Sequence, residues 1–182
     1  MDETYVLESH KGSRTLPRAP GHWGGTATSP GPDRAQVCIV VARDRGQHTG
    51  ARVVGLGKPA ATDIDEALGT ALGSEHTLRT DARSASAKFA YAKGMHHDVL
   101  DASKNEGKRG VYHLNHVNAR HRRLSKCLRA FNGVSTKYMH HHLSWFIRYD
   151  GADQQSMDAR ISAFVLESMS APVPVTMSRL TA

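Results

Sequence analysis

Two aspartates stand where strands can deliver carboxylates to a sheet edge. Asp2 lies just ahead of the alternating run Glu3 to Leu7, and Asp81 directly follows the short run His76 to Thr80. Carboxylates held at adjacent strands share a pair of Mg²⁺ ions, which activate a water or a 3′-hydroxyl and stabilise the leaving oxygen of a phosphodiester. Spacing alone is a weak argument, because aspartates at strand ends are more often turn formers or helix caps. A basic segment adds to it: Arg120, Arg122, Arg123 and Arg129 crowd one helical stretch, and Lys137 opens the next. Arginines on a helix suit contact with a phosphate backbone. A solvated charged face is the ordinary alternative for any one of them.

The elements that must position these groups are legible in outline. After the first strand, Ser9 to Arg34 is rich in Gly, Pro, Ser and Thr and reads as a long loop. Gln36 to Ala42 and Ala51 to Leu56 form a β-branched pair around Arg43-Asp44-Arg45-Gly46, an antiparallel hairpin. Thr62 is the expected N-cap of a helix carrying Ile64, Ala67, Leu68, Ala71 and Leu72 at helical spacing. His76 to Thr80 is a strand, Ser84 to Lys93 a helix closed by Gly94, and Asp98 to Leu100 a further strand. Ser103 to Gly110 is a polar loop. From about His116, Val117, Leu124, Leu128 and Phe131 mark an amphipathic helix ended by Asn132-Gly133. A second runs from Thr136 to Tyr149, expected to bury Tyr138, Met139, Leu143, Phe146 and Ile147, with Trp145 read as core. The remainder carries one modest helical stretch, Met157 to Met169. This order predicts an α/β fold with a mixed sheet flanked by helices. Residues 1–150 form the main domain, with a long loop at 9–34, and 151–182 a tail.

The 182 residues fit one domain with a short appendage. With 24 Lys and Arg against 17 Asp and Glu, the net charge is +7, which favours an anionic partner such as nucleic acid. The basic residues concentrate between Arg109 and Lys137. Cys38 and Cys127 are far apart and read as buried free thiols of a cytoplasmic protein. The acidic start MDETYVLES lacks the positive charge of a signal peptide, and no apolar run approaches a membrane span. His113, His116, His121 and His140 to His142 do not combine with the cysteines in a zinc pattern.

The segments HVNARHRRLSKCLRAFNG and VSTKYMHHHLSWF resemble insertion-sequence transposase family fifteen-ninety-five, the ISXO type. The matching positions are Val117, Asn118, His121, Arg123, Leu124, Arg129, Phe131, Gly133, Val134, Thr136, Lys137, Tyr138, Leu143 and Trp145. The opening is similar too: Asp2-Glu3-Thr4-Tyr5, Lys11-Gly12-Ser13-Arg14, Gly24-Gly25 and Gln36 to Arg45 follow the family order. The resemblance spans about residues 2 to 149. It implies an RNase H-like fold and a DDE-type transposase performing Mg²⁺-dependent DNA strand cleavage and transfer. Asp2, Asp81 and Asn118 would be catalytic residues and ligands of two Mg²⁺ ions, for which Mn²⁺ substitutes. Insertion-sequence ends and target DNA are the implied partners, with Arg120, Arg122, Arg123, Arg129 and Lys137 as the DNA-binding set. A homodimer or a full-length transposase is a further implied partner.

This chain also departs from the family. The phosphate-positioning lysine expected seven residues after the asparagine is Ser125 here, and Lys126 is the substitute. The loop His22 to Pro32 has no lysine or arginine, and Ala82-Arg83 follows Asp81 where relatives often have glycine. No zinc ribbon or helix-turn-helix precedes Asp2, which leaves it beside a Met1 amino group expected to be mobile. These departures predict a truncated copy with reduced or no activity. The competing class is a DNA-binding remnant without chemistry. An RNA-binding protein is disfavoured, because no stacking-aromatic motif falls on an expected sheet.

Overall fold

The structure is a computed structural model, and it describes residues 1–16, 35–46, 48–81, 83–100, 115–151 and 156–170. The expected loop beyond residue 16, the insertion at 103–110 and the tail beyond 170 lie outside these residues. The described chain is mixed α/β: strands β1 (Asp2–Leu7), β2 (Gln36–Arg43), β3 (Thr49–Leu56), β4 (Thr77–Thr80) and β5 (His96–Val99), with helices α1 (Ala61–Leu68), α2 (Ser84–Ala92), α3 (Asn115–Ala130), α4 (Met139–Gly151) and α5 (Met157–Ser170).

The run QVCIVVAR is apolar at successive positions because both faces of β2 are covered, which favours a continuous β-branched run over an alternating one. β2 is the middle strand of an antiparallel sheet ordered β1-β2-β3. Val37, Ile39 and Val41 on one face pack with Val117, Leu124 and Leu128 of α3 and Met139, Leu143 and Phe146 of α4. Cys38 and Val40 on the other pack with Ile64 and Leu68 of α1, Leu78 of β4 and Phe89 and Ala90 of α2. The hairpin register shifts at Cys38/Ile39, and Gly55 opposite Cys38 takes φ +143°, a conformation that a side chain strains.

β4 and β5 form a separate parallel pair, with Thr77 opposite His96 and Thr80 opposite Val99. Met1 N donates to Arg79 O at 2.7 Å, tying the start of β1 to β4. Met1 is 5% exposed. The expected mobility at this position is therefore corrected: Met1 fills a place in the apolar cluster beneath α1 and α2.

Several boundaries differ from the expectation. Thr62 lies inside α1, whose N-cap is Ala60, and Asp63 Oδ2 accepts from Ala60 N at 2.8 Å. A side chain three residues into the helix thus does the capping. The last strand is His96–Val99, because pairing with β4 rather than local pattern fixes its register. α4 is preceded by a 3₁₀ turn at Thr136–Tyr138, which turns Tyr138 outward. Tyr138 is 37% and Trp145 44% exposed, so neither belongs to the core, whereas Phe146 does. α3 ends as expected, at Asn132 with φ +51° and Gly133 with φ +95°. Cys38 is buried and Cys127 half-buried; both are free thiols.

The chain divides into two units, Met1–Ile147 and Arg148–Ala182. Within the second, Arg148 Nε meets Glu167 at 2.6 Å and the Arg160 guanidinium lies 5.2 Å from the Tyr149 ring centroid. Among the described residues no helix is long and apolar enough to cross a membrane.

Candidate acidic centre

β1 and β4 bring together residues far apart in sequence. Asp2, Glu3 and Asp81 each offer a carboxylate oxygen within 4.8 Å of the other two, forming a potential metal-holding group among the described residues. Asp2 and Asp81, both singled out in the sequence, are thus neighbours. Glu3 was not singled out. Its strand position gave no signal, because an acidic residue within an alternating strand usually faces water.

Glu3 instead faces inward, with its side chain 1% exposed. Burial raises its pKa against the opposing charge of Arg83, since a carboxylate removed from water resists ionisation. Arg83 links the group. Its Nε donates to Asp81 Oδ2 at 2.8 Å, and its Nη1 donates to Tyr5 Oη at 3.1 Å. The same Nη1 lies 3.0 Å from Glu3 Oε2, an ion-pair contact off the hydrogen-bonding axis. Burial alone would lower the Arg83 pKa, but the Asp81 hydrogen bond and the Glu3 charge outweigh it and raise it.

Asp81 is fixed by the tight turn after β4, where Arg83 N donates to Asp81 O at 2.8 Å and Thr80 Oγ1 donates to the same oxygen at 2.7 Å. Its Oδ1 is buried and has no hydrogen-bond partner among the described residues. A buried acceptor without a donor costs free energy, about 1–3 kcal/mol. A cation satisfies such an atom.

α3 supplies the other wall. His121 Nδ1 lies 3.5 Å from Asp2 Oδ2, while Asp2 Oδ1 accepts from Glu3 N at 2.9 Å. His121 Nε2 is buried and without a hydrogen-bond partner among the described residues. Burial lowers the His121 pKa, opposed by the Asp2 charge. The sequence offered His121 as a matching position and among histidines that make no zinc pattern, without a role beside Asp2.

Asn118 is exposed, three residues before His121 on α3. At ~100° per residue the two share one flank of the helix, toward β1. Lys126 is exposed and sits roughly 140° around the helix from His121. It is turned away from the carboxylates, while Ser125 occupies the His121 flank. Among the basic set, Arg122, Arg123, Arg129 and Lys137 are exposed. Arg120 is 7% exposed, which corrects its assignment to a DNA surface: it lies on the buried stripe with Val117 and Leu124. A guanidinium there meets protein rather than solvent.

No protein-family model matches this chain and no curated protein matches it.

Proposed function

We propose that this chain is an RNase H-like domain of the insertion-sequence transposase type, cutting and joining DNA strands with divalent cations held by Asp2 and Asp81. The observation that carries the reading is the convergence of these two carboxylates, with Asp81 Oδ1 buried and unpartnered. Hard oxygen donors clustered in this way fit Mg²⁺ or Mn²⁺. The bond from Met1 N to Arg79 O supports the fold reading, since it ties the start of β1 to β4.

Bound Mg²⁺ would supply charge neutralisation at the phosphodiester and activation of the attacking oxygen. The chain's own residues do the rest. Asp2 and Asp81 hold the cations, His121 steadies Asp2, and Asn118 lies on the same helix flank to add an amide oxygen. Arg122, Arg129 and Lys137 contact the DNA backbone without reading sequence. The direct test is nicking and strand transfer on DNA in Mn²⁺, comparing the native chain with Asp81→Asn. Metal-dependent activity lost in the variant supports the reading, and equal activity overturns it.

A second reading, a DNA-binding module without chemistry, is favoured by Arg83, which already neutralises Glu3 and Asp81. It predicts salt-sensitive DNA binding that neither Mn²⁺ nor Asp81→Asn alters, with no cleavage.

A further inference from the structure

Three carboxylates within 4.8 Å of one another repel unless a positive charge lies among them. Arg83 is positioned to supply it. Its two nitrogens engage Asp81 Oδ2 at 2.8 Å and Glu3 Oε2 at 3.0 Å, the first in a charge-assisted hydrogen bond. What remains open is uneven: Asp81 Oδ2 accepts a hydrogen bond from Arg83, whereas Asp81 Oδ1 and Glu3 Oε2 are buried without a hydrogen-bond partner among the described residues, the latter meeting Arg83 only as an ion pair.

From this unevenness we infer that Arg83 is the resident counter-ion of the acidic centre and that a divalent cation competes with its guanidinium for Asp81 and Glu3. This rests on the metal-binding reading above and adds the residue that sets the affinity. The physical reason has two parts. A guanidinium beside the cation repels it, and the oxygens held by the guanidinium are withdrawn as ligands. There is also room for the side chain to leave. A cleft of about 350 Å³, lined by Glu3, Lys58, Pro59, Arg83, Ser84 and Ala85, opens beside the pair. The Arg83 side chain is 39% exposed, so its displacement does not unpack the core. Arg83 also contacts Tyr5 Oη and lies 5.8 Å from that ring's centroid, contacts that hold it over the centre when no cation is present.

The competition gives an expectation opposite to that of a structural role. Losing a merely structural arginine weakens metal binding or leaves it unchanged, whereas losing a competitor strengthens it. The experiment measures Mn²⁺ binding by calorimetry, and melting temperature with and without Mn²⁺, for the native chain, Arg83→Gln and Asp81→Asn. Arg83→Gln is expected to bind Mn²⁺ roughly tenfold more tightly. It should melt lower without metal, because Glu3 loses its partner, and gain more on Mn²⁺ addition than the native chain. Binding to the native chain that Asp81→Asn abolishes, with Arg83→Gln no tighter, overturns the competition while leaving the metal site standing. Absence of binding to both the native chain and Arg83→Gln overturns both. The native chain provides a check independent of how the variant folds: the Arg83 Nε–H resonance should shift during a Mg²⁺ titration with the midpoint of metal binding. A resonance that stays fixed through saturation overturns the competition.

Discussion

The two ends of β1 are built to opposite specifications. At its start, Asp2 and Glu3 crowd against Asp81, and Glu3 Oε2, Asp81 Oδ1 and His121 Nε2 are buried without hydrogen-bond partners among the described residues. Beyond its other end, the chain is tied into the connection between α3 and α4 by matched contacts. Ser9 N donates to Thr136 Oγ1 and Thr136 N donates to Ser9 O, each at 2.9 Å. Lys11 Nζ reaches the carbonyls of Phe131, Asn132 and Gly133 at 3.1, 3.4 and 2.9 Å. These are the carbonyls at and just beyond the end of α3, where the helix leaves acceptors unfilled and its dipole favours a cation. One end satisfies its polar groups, and the other leaves them in want of a charge. Buried groups left unsatisfied call for an explanation, and a bound cation is the one the proposed function supplies. The anchored end fixes where α3 lies, which places His121 against Asp2.

The sharpest way to test this contrast is Asp81→Asn. It should lower any metal-dependent DNA cleavage by on the order of 10³-fold or more, with the fold retained by circular dichroism. Cleavage within a few-fold of the native chain would remove the functional half of the comparison. Next in size is DNA binding. The double charge reversal Arg122→Glu with Arg129→Glu should weaken binding by on the order of 10²-fold at low salt and flatten its salt dependence by about two phosphate contacts. Titrations at several salt concentrations read both quantities, and an unchanged slope would remove these residues from the interface.

Changes at the anchored end should act on stability instead. Thr136→Val and Lys11→Met are each expected to cost about 1 kcal/mol in denaturant unfolding, the lysine contribution being reduced by solvent screening. Mn²⁺ affinity should be unchanged. A larger loss of metal affinity than of stability would show that the two ends are coupled through α3. The smallest effect concerns Asp98, whose pKa is held below its usual 3.8, first by the hydrogen bond from Arg79. Arg79 Nε donates to Asp98 Oδ2 at 2.9 Å across the β4-β5 pair. A depressed carboxylate stabilises the fold above its unfolded pKa, and that contribution is lost as pH falls through the folded value. Asp98→Asn should therefore flatten the acid limb of a melting-temperature profile between about pH 5 and pH 2. A limb of unchanged steepness would count against the ion pair.

The sequence by itself determined what local chemistry controls. Continuous β-branched residues announced β2 and its buried faces, helical spacing announced α3, and Asn132-Gly133 announced its end, because backbone preference and hydrophobic period act within a few residues. Asp2 and Asp81 were legible as strand-end carboxylates. Tertiary structure alone decided which groups face them. Glu3 turns inward because its face of β1 lies against Arg83, after β4, and the apolar cluster on which Tyr5 also packs. Arg83 reaches Glu3 and Tyr5 through the turn after β4, a contact spanning most of the first domain in sequence. His121 meets Asp2 because α3 crosses β1 at that height, and Arg120 is buried because the same crossing rotates it toward the sheet. Local pattern sets the period of burial along an element, but crossing angle and strand order set which charged residue lies opposite which, and these depend on packing among all the elements at once.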